Sequence, residues 1–382
     1  MMRILIIRVA ASYMSIEKNT YNIQEIGLAK ALTRLGHKCD VVLWSDSENK
    51  DCICSFDQNK RFINVFYRKG KAILKNAFIS GLDELIPKYD IIQPCEYNQL
   101  QSWILSQKYP NKTVIYHGPY YAEFNKKYNL MCCIYDGLGF PKSYTRNKTK
   151  FITKSQKATT FLIQKGLQLE QIDTIGVGLD VDALSDDSNN LPKEVTKVNN
   201  IQTSRKMLYI GRIEERRNIE FLISVLKDVT KKDKSAQLII VGDGKKDYVE
   251  HIKKILKKEE LLNNVVWIRK IEQKYLCHIY RACNFFLLPT KYEIFGMVMM
   301  EAMYFGNIVL TTANGVSEML IENGINGYIL ETEKKENWSR IILETNLENQ
   351  KAIGKKAHNY IVEHNTWDVL APEFVKVYEK VM

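Results

Sequence analysis

The chain has 382 residues, 45% hydrophobic and 26% charged, the composition of a globular protein with room for two ordinary domains. It holds no apolar run of about 18 residues, which excludes a spanning helix from the expectation, and its start meets charge at Arg3 and Arg8 too soon for a signal peptide and reads as a buried strand. The formal net charge is +11, and residues 1–185 hold 25 Lys/Arg against 17 Asp/Glu, so the excess sits in the first half.

Apolar strand-like runs alternate with amphipathic stretches, the pattern of a parallel sheet. Residues 4–9 lead to a helix over 19–35, where Ile23, Ile26, Ala29, Leu32 and Leu35 recur at helical spacing and Gly36 closes it. Strands follow at 41–44, 62–67, 90–92, 113–116 and 151–153, then a helix over 155–165. The pattern lapses over 186–205, a polar, turn-rich stretch that reads as a linker. It restarts with strands at 207–210, 237–241, 265–268 and 285–288, each followed by a helix near 217–229, 245–257, 273–282 or after 296. The expected organisation is α/β, with two doubly wound Rossmann-like domains facing across a cleft: 1–185, then 206–366. Residues 367–382 form a last helix, with docking back on the first domain as one option.

Eight cysteines occur. The close pairs Cys52/Cys54 and Cys132/Cys133 lack zinc-ligand spacing, so no metal site is expected. A reduced, cytoplasmic setting is the simpler reading. The run from Lys142 to Lys157 adds Arg146, Lys148, Lys150 and Lys154. It reads either as a solvated face or as a surface drawn to an anionic membrane or acceptor. No nucleic-acid module is present, and no nucleic-acid partner is expected.

Two motifs in the second half carry chemistry. Gly211-Arg212-Ile213-Glu214-Glu215-Arg216-Arg217 follows a strand and opens a helix. Free backbone N–H groups and guanidinium forks at such a point suit a diphosphate; a solvated first turn with local salt bridges is the alternative. Glu293 and Glu301 flank Ile294-Phe295-Gly296-Met297-Val298 in the next strand-loop-helix unit. Carboxylates repel a diphosphate, so beside the arginines they would face the neutral hydroxyls of a sugar or ribose. Ordinary placement at a helix start and middle is the alternative.

With these motifs in place, residues 207–331 resemble the donor-binding half of the retaining family 4 glycosyltransferases, which have the GT-B fold. The resemblance rests on Gly211-Arg212, Arg217-Asn218, Val241-Gly242-Asp243-Gly244, Leu288-Pro289-Thr290, Glu293, Glu301-Ala302-Met303, Gly315-Val316-Ser317-Glu318, Asn323-Gly324 and Asn326-Gly327, in that order. The first half matches more loosely, through Leu35-Gly36-His37, His117-Gly118 and Gly178-Leu179-Asp180. The resemblance implies that Gly211, Arg212 and Arg217 hold the donor diphosphate and that Glu301 binds the ribose. Glu293, with Ile294, Phe295, Gly296, Met297 and Val298, would hold the transferred sugar and distal phosphate. Lys270 and Ile271 would border the base, and His117 would face the reacting sugar. By spacing alone a lone His at a strand end is more often structural.

The implied function is retaining, metal-independent transfer from a nucleotide-sugar donor to a glycan or lipid-linked glycan, in cell-surface polysaccharide synthesis. No cofactor is expected beyond the donor itself. The setting is cytoplasmic, at the inner face of the membrane if the basic first half makes peripheral contact. Rival readings are a non-catalytic partner subunit that binds a sugar nucleotide, and a GT-B sugar-nucleotide epimerase. Asp180-Val181-Asp182 has the form of a metal motif but overlaps the turn near the domain junction; Gly242-Asp243-Gly244-Lys245-Lys246 lacks the full phosphate-loop pattern and reads as a strand-to-helix turn. One departure from the family stands out. The loop over 10–19 contains no Gly where relatives carry a Gly pair, so backbone approach to ligands there is restricted.

Overall fold

Strands buried on both faces read as continuous apolar runs because helices cover each side of a parallel sheet. The computed structural model describes all residues except 11–13, 15, 17–22, 58–59, 74–75, 186–189 and 291. The chain divides into two units, Met1–Asp182 with Asn365–Met382, and Ala183–His364. In the first unit the strands are β1 (Arg3–Ile7), β2 (Lys38–Ser45), β3 (Lys50–Ser55), β4 (Phe62–Ile73), β5 (Asn76–Ile79), β6 (Ile91–Pro94), β7 (Val114–His117), β8 (Lys150–Thr153) and β9 (Ile172–Thr174). In the second they are β10 (Lys206–Ile210), β11 (Gln237–Val241), β12 (Val265–Ile268), β13 (Phe285–Leu288), β14 (Ile308–Thr311) and β15 (Gly327–Ile329).

The first unit has strand order β3-β4-β2-β1-β6, with β5 on β4. Parallel bridges Ile92–Thr113 and Cys95–Tyr116 tie β6 to the run β7-β8-β9. β1 lies between two parallel partners, Ile6 opposite Val41 and Gln93. Its residues Leu5 and Ile7 join Val42, Ile92 and Leu105 in a buried core. The helix after β1 runs Gln24–Arg34 and buries Ile26, Leu28, Ala29 and Leu32. The expected start at residue 19 lies outside the described residues, and Leu35, expected on the apolar face, is exposed. The loop expected over 10–19 lies mostly outside them as well. β3 and β5 were not expected; both pair antiparallel with β4 at its outer side. β3 alternates exposed and half-buried residues, so no apolar run announces it.

The segment 186–205, expected as a linker, contains the helix Lys193–Asn199, which buries Val195 and Val198 in the second unit. Those two valines sit three apart, too short an apolar signal to stand out from polar sequence. Helix Trp367–Glu379 belongs to the first unit and buries Trp367, Phe374 and Tyr378. The Tyr378 hydroxyl donates to Gln93 Oε1 at 2.6 Å, and Phe374 meets Tyr116 edge-on at 5.5 Å. Trp367 fills a slot that only glycines leave open. A Cβ on Gly27 would strike its indole, and one on Gly178 would lie 2.6 Å from its Cα.

The slot makes a stability prediction. Gly27→Ala should cost about 1–3 kcal/mol, the range for overpacking a filled core. Gly137→Ala, where a Cβ would meet nothing within 4 Å, is the control. Urea-unfolding midpoints of both variants check it, and equal midpoints would contradict the role given to the slot.

Candidate functional site

The second unit has strand order β12-β11-β10-β13-β14-β15, with parallel pairing throughout. The chain builds outward from β10 on one side, then restarts with β13 on the other. Ligands of open α/β sheets bind at the carboxyl ends of the strands where the order reverses, here β10 and β13. The chain leaves β10 through Gly211-Arg212 and a 3-10 turn, Glu215–Arg217, before Asn218 at φ 54° opens helix Ile219–Thr230. It leaves β13 through Pro289-Thr290 and reaches helix Met297–Tyr304 at Gly296.

The two exits meet through an ion pair between Arg217 Nη1 and Glu293 Oε2. Both side chains are largely withdrawn from water, at 13% and 15% exposure. Burial works to lower the Arg217 pKa, and Glu293 more than offsets it. Arg217 Nε is buried with no hydrogen-bond partner among the described residues. Beside this pair, Arg216 Nη1 donates to the Tyr292 carbonyl at 3.0 Å, and Thr290 Oγ1 donates to the same oxygen at 3.1 Å.

A second contact fixes the turn after β10. The Gly211 N–H donates to the Val241 carbonyl at 3.0 Å, and Ile213 N–H to the Asp243 carbonyl at 2.9 Å. Gly242 packs so close that a Cβ would overlap the Gly211 carbonyl oxygen, and its φ of 151° disfavours other residues. Gly242-Asp243-Gly244 is therefore a strand-to-helix turn clamped against the turn that carries Arg212. Arg212 itself is exposed, its carbonyl accepting from the Tyr209 hydroxyl at 2.8 Å.

The other predicted residues are placed as follows. Ile294, Met297 and Val298 are half-buried and Phe295 is buried. Glu301 is 1% exposed and accepts from the Tyr280 hydroxyl at 2.9 Å. Lys270, exposed, and Ile271, half-buried, follow β12, two strands from β10. Asp180 pairs with Lys30 at 2.8 Å, and Asp182 pairs with Arg34. Among the described residues no three His, Cys, Asp or Glu side chains are grouped to hold a metal ion.

His117 belongs to the first unit, where it ends β7 fully buried. Its Nδ1 lies 2.9 Å from Glu96 Oε2, which also accepts from the Gly118 N–H at 3.0 Å; Lys154 Nζ approaches Glu96 Oε1 at 3.5 Å. Burial alone would raise the Glu96 carboxyl. Lys154, His117 and the Gly118 N–H outweigh it and hold the group at about 2, from an ordinary 4.5. An ionised carboxylate only accepts, so Nδ1 carries the hydrogen in this contact. Nε2 is buried and has no partner among the described residues. Glu96 also sits at φ 63°, a conformation costly for a side chain with Cβ and common at functional sites.

Sequence reasoning missed Glu96, and it saw Lys154 only as part of a basic run. Each follows the last buried residues of a strand, β6 and β8, that flanks β7. Their convergence on His117 depends on strand order, which spacing along the chain does not display.

The family model described as glycosyl transferases group 1 matches residues 192–363. An uncharacterized glycosyltransferase of Methanocaldococcus jannaschii is 22% identical over 384 residues, covering 93% of each chain. HepE of Anabaena, solved with UDP, superposes with TM-score 0.73 at 17% identity, over 99% of this chain and 100% of that one. The sucrose-phosphate synthase of Thermosynechococcus elongatus gives TM-score 0.71 at 17% identity, over 99% of both chains. The fold is GT-B, as the sequence resemblance implied.

The Glu96 cluster predicts a pH-dependent stability. Glu96→Gln should cost about 3 kcal/mol at neutral pH, since a shift of one pKa unit corresponds to about 1.4 kcal/mol. A depressed carboxylate stabilises above its unfolded value of 4.5 and loses that contribution as pH falls towards 2. The gap between wild type and variant in urea unfolding should therefore narrow by about pH 3. A gap that is constant with pH would contradict the assignment.

Proposed function

We propose that the protein, whose residues 192–363 match the family model described as glycosyl transferases group 1, is a retaining, metal-independent glycosyltransferase. It takes a sugar from a nucleotide-sugar donor and passes it to a glycan or lipid-linked glycan, in cell-surface polysaccharide synthesis at the cytoplasmic face of the membrane. The observation that carries this reading is the largely buried Arg217, paired with Glu293 between the carboxyl ends of β10 and β13 and left with an unpartnered Nε. A buried, unsatisfied donor in a native site calls for a ligand or a cost. A phosphate oxygen is the acceptor that fits a guanidinium.

In this reading Arg212 and Arg217 take the donor diphosphate, with the Gly211 turn close to it. As phosphate oxygens share the guanidinium, Glu293 turns its carboxylate to the hydroxyls of the transferred sugar. The backbone of Ile294 through Val298 lines the distal phosphate and sugar. Glu301, presented by Tyr280, binds the ribose, and Lys270 and Ile271 border the base. HepE of Anabaena was also solved with UDP-glucose, which makes a uridine nucleotide the first donor to try.

The bond from the anomeric carbon to the phosphate oxygen breaks as a bond from that carbon to the acceptor oxygen forms on the same face. The acceptor's proton passes to the departing phosphate. Charge grows on the phosphate, where preorganised guanidinium groups stabilise it more than they stabilise the bound donor. His117, with Nδ1–H committed to Glu96, offers Nε2 to a sugar hydroxyl. The paired carboxylates of glycosidases, which flank the scissile bond, have no counterpart in these roles, since Glu301 is assigned to the ribose.

The test uses the purified protein with a panel of sugar nucleotides. One donor should bind and be slowly hydrolysed without acceptor. Arg217→Ala and Glu293→Gln should each lower turnover by about 100- to 1,000-fold, as loss of a charge-stabilising donor does, with circular dichroism unchanged. Donor binding without transfer to any acceptor would point instead to a partner subunit, conversion of free donor into its epimer to an epimerase. No binding from the whole panel would sink the reading.

A further inference from the structure

Helix Lys126–Gly137 follows β7 through residues 118–125 and packs on the first unit by one side alone. Cys132 and Tyr135 turn inward, the Tyr135 ring 4.8 Å from Phe140, which stacks on Trp103 at 4.6 Å. Leu130, Ile134 and Leu138 stand one turn apart on the opposite side, 63%, 47% and 67% exposed. At 100° per residue, Lys126 and Lys127 fall within the same face as these three. Phe124, 45% exposed, precedes the helix.

The charge around this face is lopsided. Residues 121–150 hold Lys126, Lys127, Lys142, Arg146, Lys148 and Lys150 against only Glu123 and Asp136. Asp136 is already paired with Lys165. Lys126, Lys127, Lys142, Arg146 and Lys148 are exposed and, among the described residues, form no ion pair. Two lysines in a first turn also oppose the helix dipole, and no acidic residue or side-chain cap compensates them.

We propose that this face docks the protein on the surface of a bilayer containing anionic lipid, with Leu130, Ile134 and Leu138 entering the headgroup boundary and the surrounding cations on the lipid phosphates. Apolar residues on one helical face with unpaired Lys and Arg beside them are what an interfacial helix requires. No helix among the described residues is long and apolar enough to cross a membrane, so the contact is peripheral. The docking deepens the lipid-linked-acceptor reading above and rests on it for its purpose. His117 ends the strand that feeds this helix, so the lipid surface and the sugar-facing histidine lie along one connection.

The test needs neither donor nor acceptor. Full-length protein is sedimented with vesicles of phosphatidylcholine alone or mixed with phosphatidylglycerol. Wild type should bind the mixed vesicles and release in high salt. Replacing Leu130, Ile134 and Leu138 together by Ser should lower partitioning at least about tenfold, and Lys126→Glu about fivefold. Both variants should keep the wild-type urea midpoint and wild-type hydrolysis of free donor, which separates failure of docking from failure of the catalytic reading. Equal partitioning of wild type and the Ser variant, or no binding to the mixed vesicles, would overturn the proposal. So would a wild-type dimer in light scattering that the Ser variant abolishes, since the face would then serve a second copy of the chain.

Discussion

Between the carboxyl ends of β10 and β13, Arg217 and Glu293 share a space that water only partly reaches. Such a pair is a poor source of stability. Withdrawing two charges from water costs about as much as their attraction returns, yet removing one partner strands the other. The arrangement is therefore stable as a pair and strained as a single charge. It also ties two loops that the sheet alone would leave independent, because each follows a different half of the doubly wound order. In the proposed function, a phosphate entering there would meet a guanidinium already held in place, and the carboxylate it displaced would be left beside the sugar.

The same logic recurs in the first unit with different residues. Glu96, His117 and Lys154 follow or end three neighbouring strands, β6, β7 and β8. Arg8, just past β1, pairs with Glu25 in the first turn of the next helix at 2.8 Å. Parallel strands are largely apolar along their length, and these charges sit at the edge where the strands end and the following segments begin. Helix Lys126–Gly137 follows from that edge too, after β7.

Much of this was legible in the sequence. The alternation of apolar runs and amphipathic stretches marked the parallel strands, and Gly211-Arg212, Arg217, Glu293 and Glu301 stood out by order along the chain. What stayed hidden depends on pairing across the sheet. Glu96 looks like any polar residue after Cys95 until β6 lies beside β7. The edge strand β3 is too exposed to carry an apolar signal, and the helix Lys193–Asn199 buries only two valines within a polar stretch. Helix Lys126–Gly137 drew no reading from the sequence, because apolar residues such as Leu130 and Ile134 serve a core or a surface equally, and only their exposure separates the two uses.

The most direct test of the central claim is calorimetric titration of UDP, and of the other nucleoside diphosphates in turn, into the wild-type protein and into Arg217→Ala. The account predicts that one nucleotide binds the wild type and that the variant, still folded, loses at least about tenfold in affinity, the equivalent of about 1.4 kcal/mol. Unchanged affinity in the variant would mean that the diphosphate does not use the guanidinium between β10 and β13, and the site would have to be placed elsewhere.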